Sequence, residues 1–201
     1  MPASVTPTRD RILYATAELF RRQGYCGTGL KQIVADAQAP FGSLYHHFPG
    51  GKQQLANEVI RAGGAFFQAL VTAVYDAQST PEAAIQAVFA GAAQTLQATD
   101  FQDACPIAVI ALEVASTNED LRRATAEVFA QWIEALTERL GDRETALSVL
   151  AALEGAFILC RAQRTVEPML AAGRMAAIAI ATTRAAVSHD RHTGAPATTD
   201  L

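Results

Sequence analysis

The sequence predicts an all-α protein of about nine helices, with a small N-terminal helical unit joined to a larger helical body. Half of the 201 residues are apolar, yet only 7% are aromatic. Alanine, the strongest helix former, is abundant, and β-branched runs are few, which favours helix over sheet. Apolar residues recur at three- and four-residue spacing between clear start and stop signals.

Met1 to Pro7 reads as a frayed arm. Thr8 is placed to cap a first helix reaching Gln23, with Ile12, Leu13, Ala15, Leu19 and Phe20 as its apolar stripe and Gly24 as its left-handed stop. Thr28 or Gly29 opens a short second helix through Ala37, its Leu30, Ile33, Val34 and Ala37 turned inward. Pro40 suits the first turn of a third helix that runs through Phe48 and stops at Pro49-Gly50-Gly51. A long fourth helix spans about Lys52 to Asp76. Thr80 and Pro81 start a fifth, reaching Ala98. Pro106 begins a sixth, ending near Ala115, and Asn118 caps a seventh that reaches Leu140 before Gly141-Asp142. The last two, about Arg143 to Arg164 and Pro168 to Val187, are the most apolar, and the polar tail from Ser188 is expected to be disordered.

The organisation expected is therefore a head at 8–68, a body at 69–187 and a tail at 188–201. Charge supports this division. The chain carries a net −4, but Met1 to Arg61 is +3 and the remainder −7. A basic head on an acidic body is the footprint of a DNA reader with a separate sensing or assembly unit. Cys26, Cys105 and Cys160 show no paired spacing and read as free thiols. No signal peptide is apparent, and charges interrupt the apolar stretches, so a soluble, cytoplasmic protein without a membrane span is expected.

Two short helices joined by a tight turn, the second of them polar, have the layout of a helix-turn-helix. Its second helix must present small and hydrogen-bonding side chains to the major groove while phosphate contacts fix the register. Gly42 and Ser43 are small. Leu44 and Phe48, four apart, face a core, and Tyr45 and His46 point the other way. Thr28 and Lys52 sit where helices begin, suiting phosphate oxygens.

The run from Thr8 to Leu55 resembles the N-terminal domain of the TetR family of bacterial repressors. The resemblance is carried in order by Phe20, Gly24-Tyr25, Thr28, Ile33-Val34, Ala37, Gly42-Ser43-Leu44-Tyr45-His46-His47-Phe48, Lys52 and Leu55. It implies a DNA-binding set of Thr28, Gly29, Lys31, Pro40, Phe41, Gly42, Ser43, Tyr45, His46 and Lys52, with Thr28 and Lys52 on phosphate. One departure stands out: Pro40 and Phe41 replace the usual polar cap and basic residue. Phe41 cannot donate to phosphate but can meet a thymine methyl or a sugar face, which implies an operator with its own preference. Pro49-Gly50-Gly51-Lys52, Ala104-Cys105-Pro106-Ile107-Ala108, Ala111-Leu112-Glu113 and Trp132 resemble the LmrA/YxaF-like branch, whose members resemble drug- or aromatic-responsive repressors.

That resemblance further implies a ligand cavity within helices five to seven and part of four, and a four-helix bundle made with a partner by the last two. The residues expected at the cavity are Phe66, Phe67, Leu70, Val74, Phe89, Ile107, Ile110, Phe129, Trp132 and Phe157, with Glu113 as polar anchor. The last two helices carry more apolar surface than one subunit can hide. Leu147, Leu150, Ala151, Ile158, Ala172, Met175, Ala176 and Ala179 are the expected homodimer interface. The function expected is a repressor that binds a palindromic operator as a dimer and is released by a small hydrophobic or aromatic inducer. A helical carrier and a transcriptional activator are the alternatives.

An enzyme is the least favoured class. The four histidines are His46–His47 in the third helix and His189 and His192 near the C-terminus, without metal-ligand spacing, and no nucleophile elbow or phosphate loop occurs. No cofactor and no metal are expected.

Overall fold

The structure, a computed structural model, describes residues 6–193, with side chains described through residue 186. The described residues form nine helices and no strand. They are α1 (Thr8–Gln23), α2 (Leu30–Asp36), α3 (Phe41–His47), α4 (Gly51–Asp76), α5 (Pro81–Ala98), α6 (Pro106–Val114), α7 (Glu119–Leu140), α8 (Arg143–Gln163) and α9 (Glu167–Thr193).

Local chemistry sets most of the ends. Thr80, Asn118 and Asp142 each accept from a backbone N–H three residues on, at 3.2, 3.1 and 2.7 Å. A cap of this kind contributes about 1 kcal/mol. Gly24 ends α1 at φ 79, where its N–H reaches the Phe20 carbonyl at 3.0 Å. Two caps differ from expectation by one residue. Pro7, not Thr8, occupies the N-cap of α1, and Pro40 sits at the N-cap of α3 rather than in its first turn. α9 continues to Thr193, past the expected end at Val187, so the first six residues of the expected tail are helical. Positions 194–201, like most of the expected N-terminal arm, lie outside the described residues.

Two cores result. In the head, Ile12, Leu19, Ile33, Val34, Leu44, Phe48 and Leu55 lock α1, α2 and α3 onto the start of α4. In the body, α5 lies against α9, α8 packs on α7 and α9, and the buried cluster runs from Ile85 to Ile180. The cores are not insulated from each other. Phe20 of α1 and Ala56, Val59 and Ile60 of α4 belong to the body's cluster.

α4 joins the two units and runs beside α7 in the same direction, as successive pairs record. Gln53 Nε2 donates to Asp120 at 3.0 Å, Arg61 pairs with Glu127 at 2.9 Å, and the Tyr75 hydroxyl donates to the Arg139 carbonyl at 3.3 Å. At Gly64 the helices close until only glycine fits, because a Cβ there would lie 2.6 Å from Val128 Cγ1. In the adjoining turn the Trp132 indole N–H donates to the Gly64 carbonyl at 3.0 Å.

α8 departs from the expectation that charges break every apolar stretch. By length and composition it could cross a membrane, with a mean hydropathy of 1.6. Its inner face packs instead within the body, through Ala146, Val149, Leu150, Leu153, Ala156 and Cys160.

Candidate nucleic-acid interface and ligand cavity

In the head, Leu44 and Phe48 are fully buried and fix α3. Much of the rest of its surface is open. Phe41 is 45% and Tyr45 48% exposed, their ring centroids 5.8 Å apart in an edge-on pair. His46 and Gly42 are exposed and Ser43 half-buried, and no atom lies within 4 Å of where a Cβ on Gly42 would stand. Pro40, Gly29 and Lys31 are exposed beside them.

Two expected phosphate ligands are engaged elsewhere. Thr28 is only 1% exposed; its Oγ1 donates to the Gly24 carbonyl at 2.7 Å, and its N–H goes to Tyr25. It ties the α1–α2 turn together, which corrects its assignment to phosphate in this state. Lys52 is half-buried with its Nζ 4.4 Å above the Tyr25 ring, a cation–π contact that holds the ammonium against the head.

Glu113 is the clearest correction in the body. The sequence suggested a polar anchor inside the cavity. Instead its carboxylate accepts the Cys26 N–H at 2.8 Å, across the junction between body and head. Asp103, just before α6, holds Arg21 of α1 at 2.7 Å. Acidic groups thus fasten the two ends of α6 to α1 and to the turn that follows it. Cys26 itself is exposed, whereas Cys105 and Cys160 are buried.

An apolar cavity of about 40 Å³ lies among α4, α5, α7 and α8. Phe67, Phe89 and Trp132 line it as expected, with the Phe67 and Trp132 rings 4.7 Å apart. The other expected residues do not. Phe66, 71% exposed, and Leu70 face outward, and Val74 is half-buried off the cavity wall. The sequence stripe 66, 70, 74 is one helical step away from the stripe 67, 71 that turns inward. Ile107 and Ile110 are wholly buried in the core, so α6 supplies no wall. Phe129 packs edge-on behind Trp132 at 5.6 Å, and Phe157 is half-buried against the core. Gln68, Thr72 and Arg139, missed in the sequence, are also among the lining residues, though the surface they expose there is almost wholly apolar, and Val149, Leu150 and Leu153 bring α8 into the wall. Gly64, on the face of α4 that closes on α7, is the one signal that could have identified the inward stripe.

On the outside of α8 and α9, Leu147, Ala151, Ile158, Met175 and Ala179 are exposed as expected, Ile158 at 58% and Met175 at 63%. Leu150 and Ala176 are corrected to the subunit's own core, and Ala172 is half-buried. Leu159 and Ile178, not anticipated, extend the exposed apolar face. On the inner border of that face is Glu154. Both of its carboxylate oxygens are buried, and beside the Cys105 thiol no N–H or O–H donor among the described residues reaches them. Burial pushes its carboxyl up to about 7, and the neighbouring Cys105 thiol is pushed well up by the same cause and by Glu154.

Residues 12–59 match the family model for bacterial regulatory proteins of the tetR family, and residues 81–175 match that for the C-terminal domain of LmrA/YxaF-like transcriptional regulators. The transcriptional regulator LmrA of Bacillus subtilis is 33% identical over 171 residues, covering 81% of this chain and 91% of LmrA. The transcriptional repressor DhaR of a Mycobacterium species is 23% identical over 178 residues, covering 82% of this chain and 87% of DhaR. The crystal structure of a regulatory protein TetR from Rhodobacter sphaeroides superposes with a TM-score of 0.76 at 20% identity, over 85% of this chain and 97% of that one. The chain belongs to the TetR family of bacterial transcriptional regulators, in its LmrA/YxaF-like branch.

Proposed function

We propose that this regulator is a cytosolic repressor, dimeric through the outer faces of α8 and α9, that holds a palindromic operator until a small, largely apolar molecule enters its body. The observation that carries this reading is that one helix serves both units. α4 starts under the DNA-facing head and ends as a wall of the cavity, with Trp132 joining the cavity to its midpoint at Gly64. The expected division near residue 68 then falls along α4, just past Gly63–Gly64.

Size supplies the driving force. The cavity holds about 40 Å³, whereas pockets that take drug-sized ligands measure roughly 300–1,000 Å³. A ligand of that size fits only a state in which the surrounding helices have moved apart. It therefore has differential affinity for the two states, the condition for shifting their populations, and allosteric coupling typically amounts to about 1–3 kcal/mol, roughly a 5- to 150-fold change in DNA affinity. The chemistry of the walls favours an apolar body packed against Phe67, Phe89 and Trp132. The sign of regulation follows DhaR, a repressor by name. The DNA contacts favoured by exposure are Phe41, Gly42, Ser43, Tyr45 and His46 on α3, with Gly29 and Lys31 on the flank.

The test is a gel shift on the DNA upstream of the chain's own gene, repeated with a panel of planar aromatic compounds. Trp132 is the single tryptophan of the chain, so its fluorescence reports cavity occupancy in the same samples. At least one compound is expected both to change the emission and to abolish the shift. A shift insensitive to every compound, including those that change the emission, removes the sensor from the proposal.

A further inference from the structure

We propose that Phe41, backed by Tyr45, selects the operator base by reading the 5-methyl group of a thymine in the major groove. This rests on the reading of α3 as the helix that enters the groove and adds the base it recognises there.

The chemistry of α3 narrows the choice. Between Phe41 and His47 there is no Arg, Lys, Asn or Gln. The bidentate pairs that select guanine or adenine therefore cannot be built from this helix. Ser43 can hydrogen-bond several base edges and discriminates weakly. Beside Ser43 and the exposed His46, what α3 presents is apolar: two rings one turn apart, each about half exposed, on a helix anchored by fully buried Leu44 and Phe48. Edge-on contact with Tyr45, at an interplanar angle of 67°, braces the Phe41 ring. Exposed Pro40 extends the patch, and the open space at Gly42 lets a base edge come up to the rings. Among base-pair edges in the major groove, the thymine methyl is the apolar feature such a patch can meet.

The experiment uses the full-length protein. Duplexes are selected from a random pool at low salt, and the consensus is resynthesised with uracil replacing each thymine in turn. Uracil keeps every hydrogen-bonding group and lacks only the methyl. Burial of one methyl predicts a loss of about fourfold in affinity for substitution at one thymine of a half-site, and about fifteenfold when both half-sites are changed. Phe41→Ala is expected to bind thymine and uracil duplexes alike, whereas Phe41→Leu retains the preference. Because Phe41 lies outside both cores, neither variant endangers the fold, and the uracil series leaves the protein untouched. Indifference of the wild type to uracil at every position, or an unchanged preference in Phe41→Ala, overturns the proposal. Failure to recover any duplex overturns it together with the DNA-binding reading, whereas tight binding without methyl dependence overturns this inference alone.

Discussion

The head encloses large side chains in a small volume: Ile12, Ile33, Leu44, Phe48 and Leu55 are all fully buried where three short helices meet α4. The body, with about twice as much helix, has a larger core of the same large residues but fills it less completely. It retains a cavity between four helices and a buried carboxylate that meets only a thiol. A close-packed interior resists deformation, while voids and unpaired polar groups lower the difference between alternative packings. The contrast teaches where each task can reside. In the proposed function, spacing on DNA is held by the unit that resists deformation, and response to a ligand belongs to the unit that yields.

The largest effect should come from opening the rigid unit. Phe48→Ala removes the buried ring that anchors α3, at a cost of about 3–5 kcal/mol. Hydrogen exchange should show α2 and α3 losing protection while α8 and α9 keep theirs. Simultaneous loss in both units would mean that the shared residues Phe20, Ala56 and Ile60 fuse them into one cooperative block, and the contrast would fail.

The body's outer face offers the next contrast, between Ile158 and Met175 outside and Leu150 inside. Ile158→Asp with Met175→Asp should convert a dimer to monomers by sedimentation, weakening association at least a hundredfold, or about 3 kcal/mol. The subunit's own melting core should be little changed. Leu150→Asp, one turn from the outer stripe, should instead unfold the subunit, because it buries an unpaired charge. A wild-type protein that sediments as a monomer would remove the interface from the proposal.

Glu154 tests the claim that the body tolerates internal strain. Its folded carboxyl titrates at about 7, above the ordinary carboxylate value, so between the two values the folded state binds more protons than the unfolded one. Stability therefore falls as pH rises through that window, and it is highest below the unfolded value. The cost above pH 7 is on the order of 2 kcal/mol once relaxation and partial solvent contact are allowed for. Glu154→Gln should flatten the pH dependence and stabilise the protein at pH 8 more than at pH 5. Parallel curves for the two proteins would show that the carboxylate is solvated or paired in solution.

The same contrast explains what the sequence could reveal. In the head, each helix is short and bounded by glycine or proline, and large residues at fixed spacing leave one solution, so Leu44, Phe48 and the open Gly42-Ser43 pair were legible. Thr28 misled because a threonine at a helix start can turn either to solvent or back to the preceding turn, and Gly24 offered it a carbonyl. In the body, apolar residues surround most of α4, α8 and α9, so periodicity does not say which stripe faces inward. Phe66 and Phe67 are adjacent and equally apolar, and only the approach of α7 at Gly64 makes Phe67 the inner one. Leu150 and Leu147 are one helical turn apart, and which of them meets the cavity depends on how α8 packs against α4 and α5, far away in sequence. Glu113 was placed in the cavity because a lone acid on an apolar helix suggests an anchor. The position of the α1–α2 turn, a long-range fact, decided otherwise.

The smallest expected effect is the one that joins the two regions. Trp132→Phe keeps a ring on the cavity wall and removes the indole N–H that holds the Gly64 carbonyl. One neutral hydrogen bond contributes about 1 kcal/mol, so the variant should still fold and bind DNA. If the bond carries cavity expansion to the midpoint of α4, a compound that releases the wild type should bind the variant with similar affinity by calorimetry, yet require about fivefold more to release DNA. Replacing Gly64 itself is no substitute, since any side chain there collides with Val128 and would disturb the packing directly. Equal release concentrations at equal ligand affinity would place the transmission elsewhere. The remaining route would run through α6, which Asp103 and Glu113 fasten to the head although no residue of α6 lines the cavity.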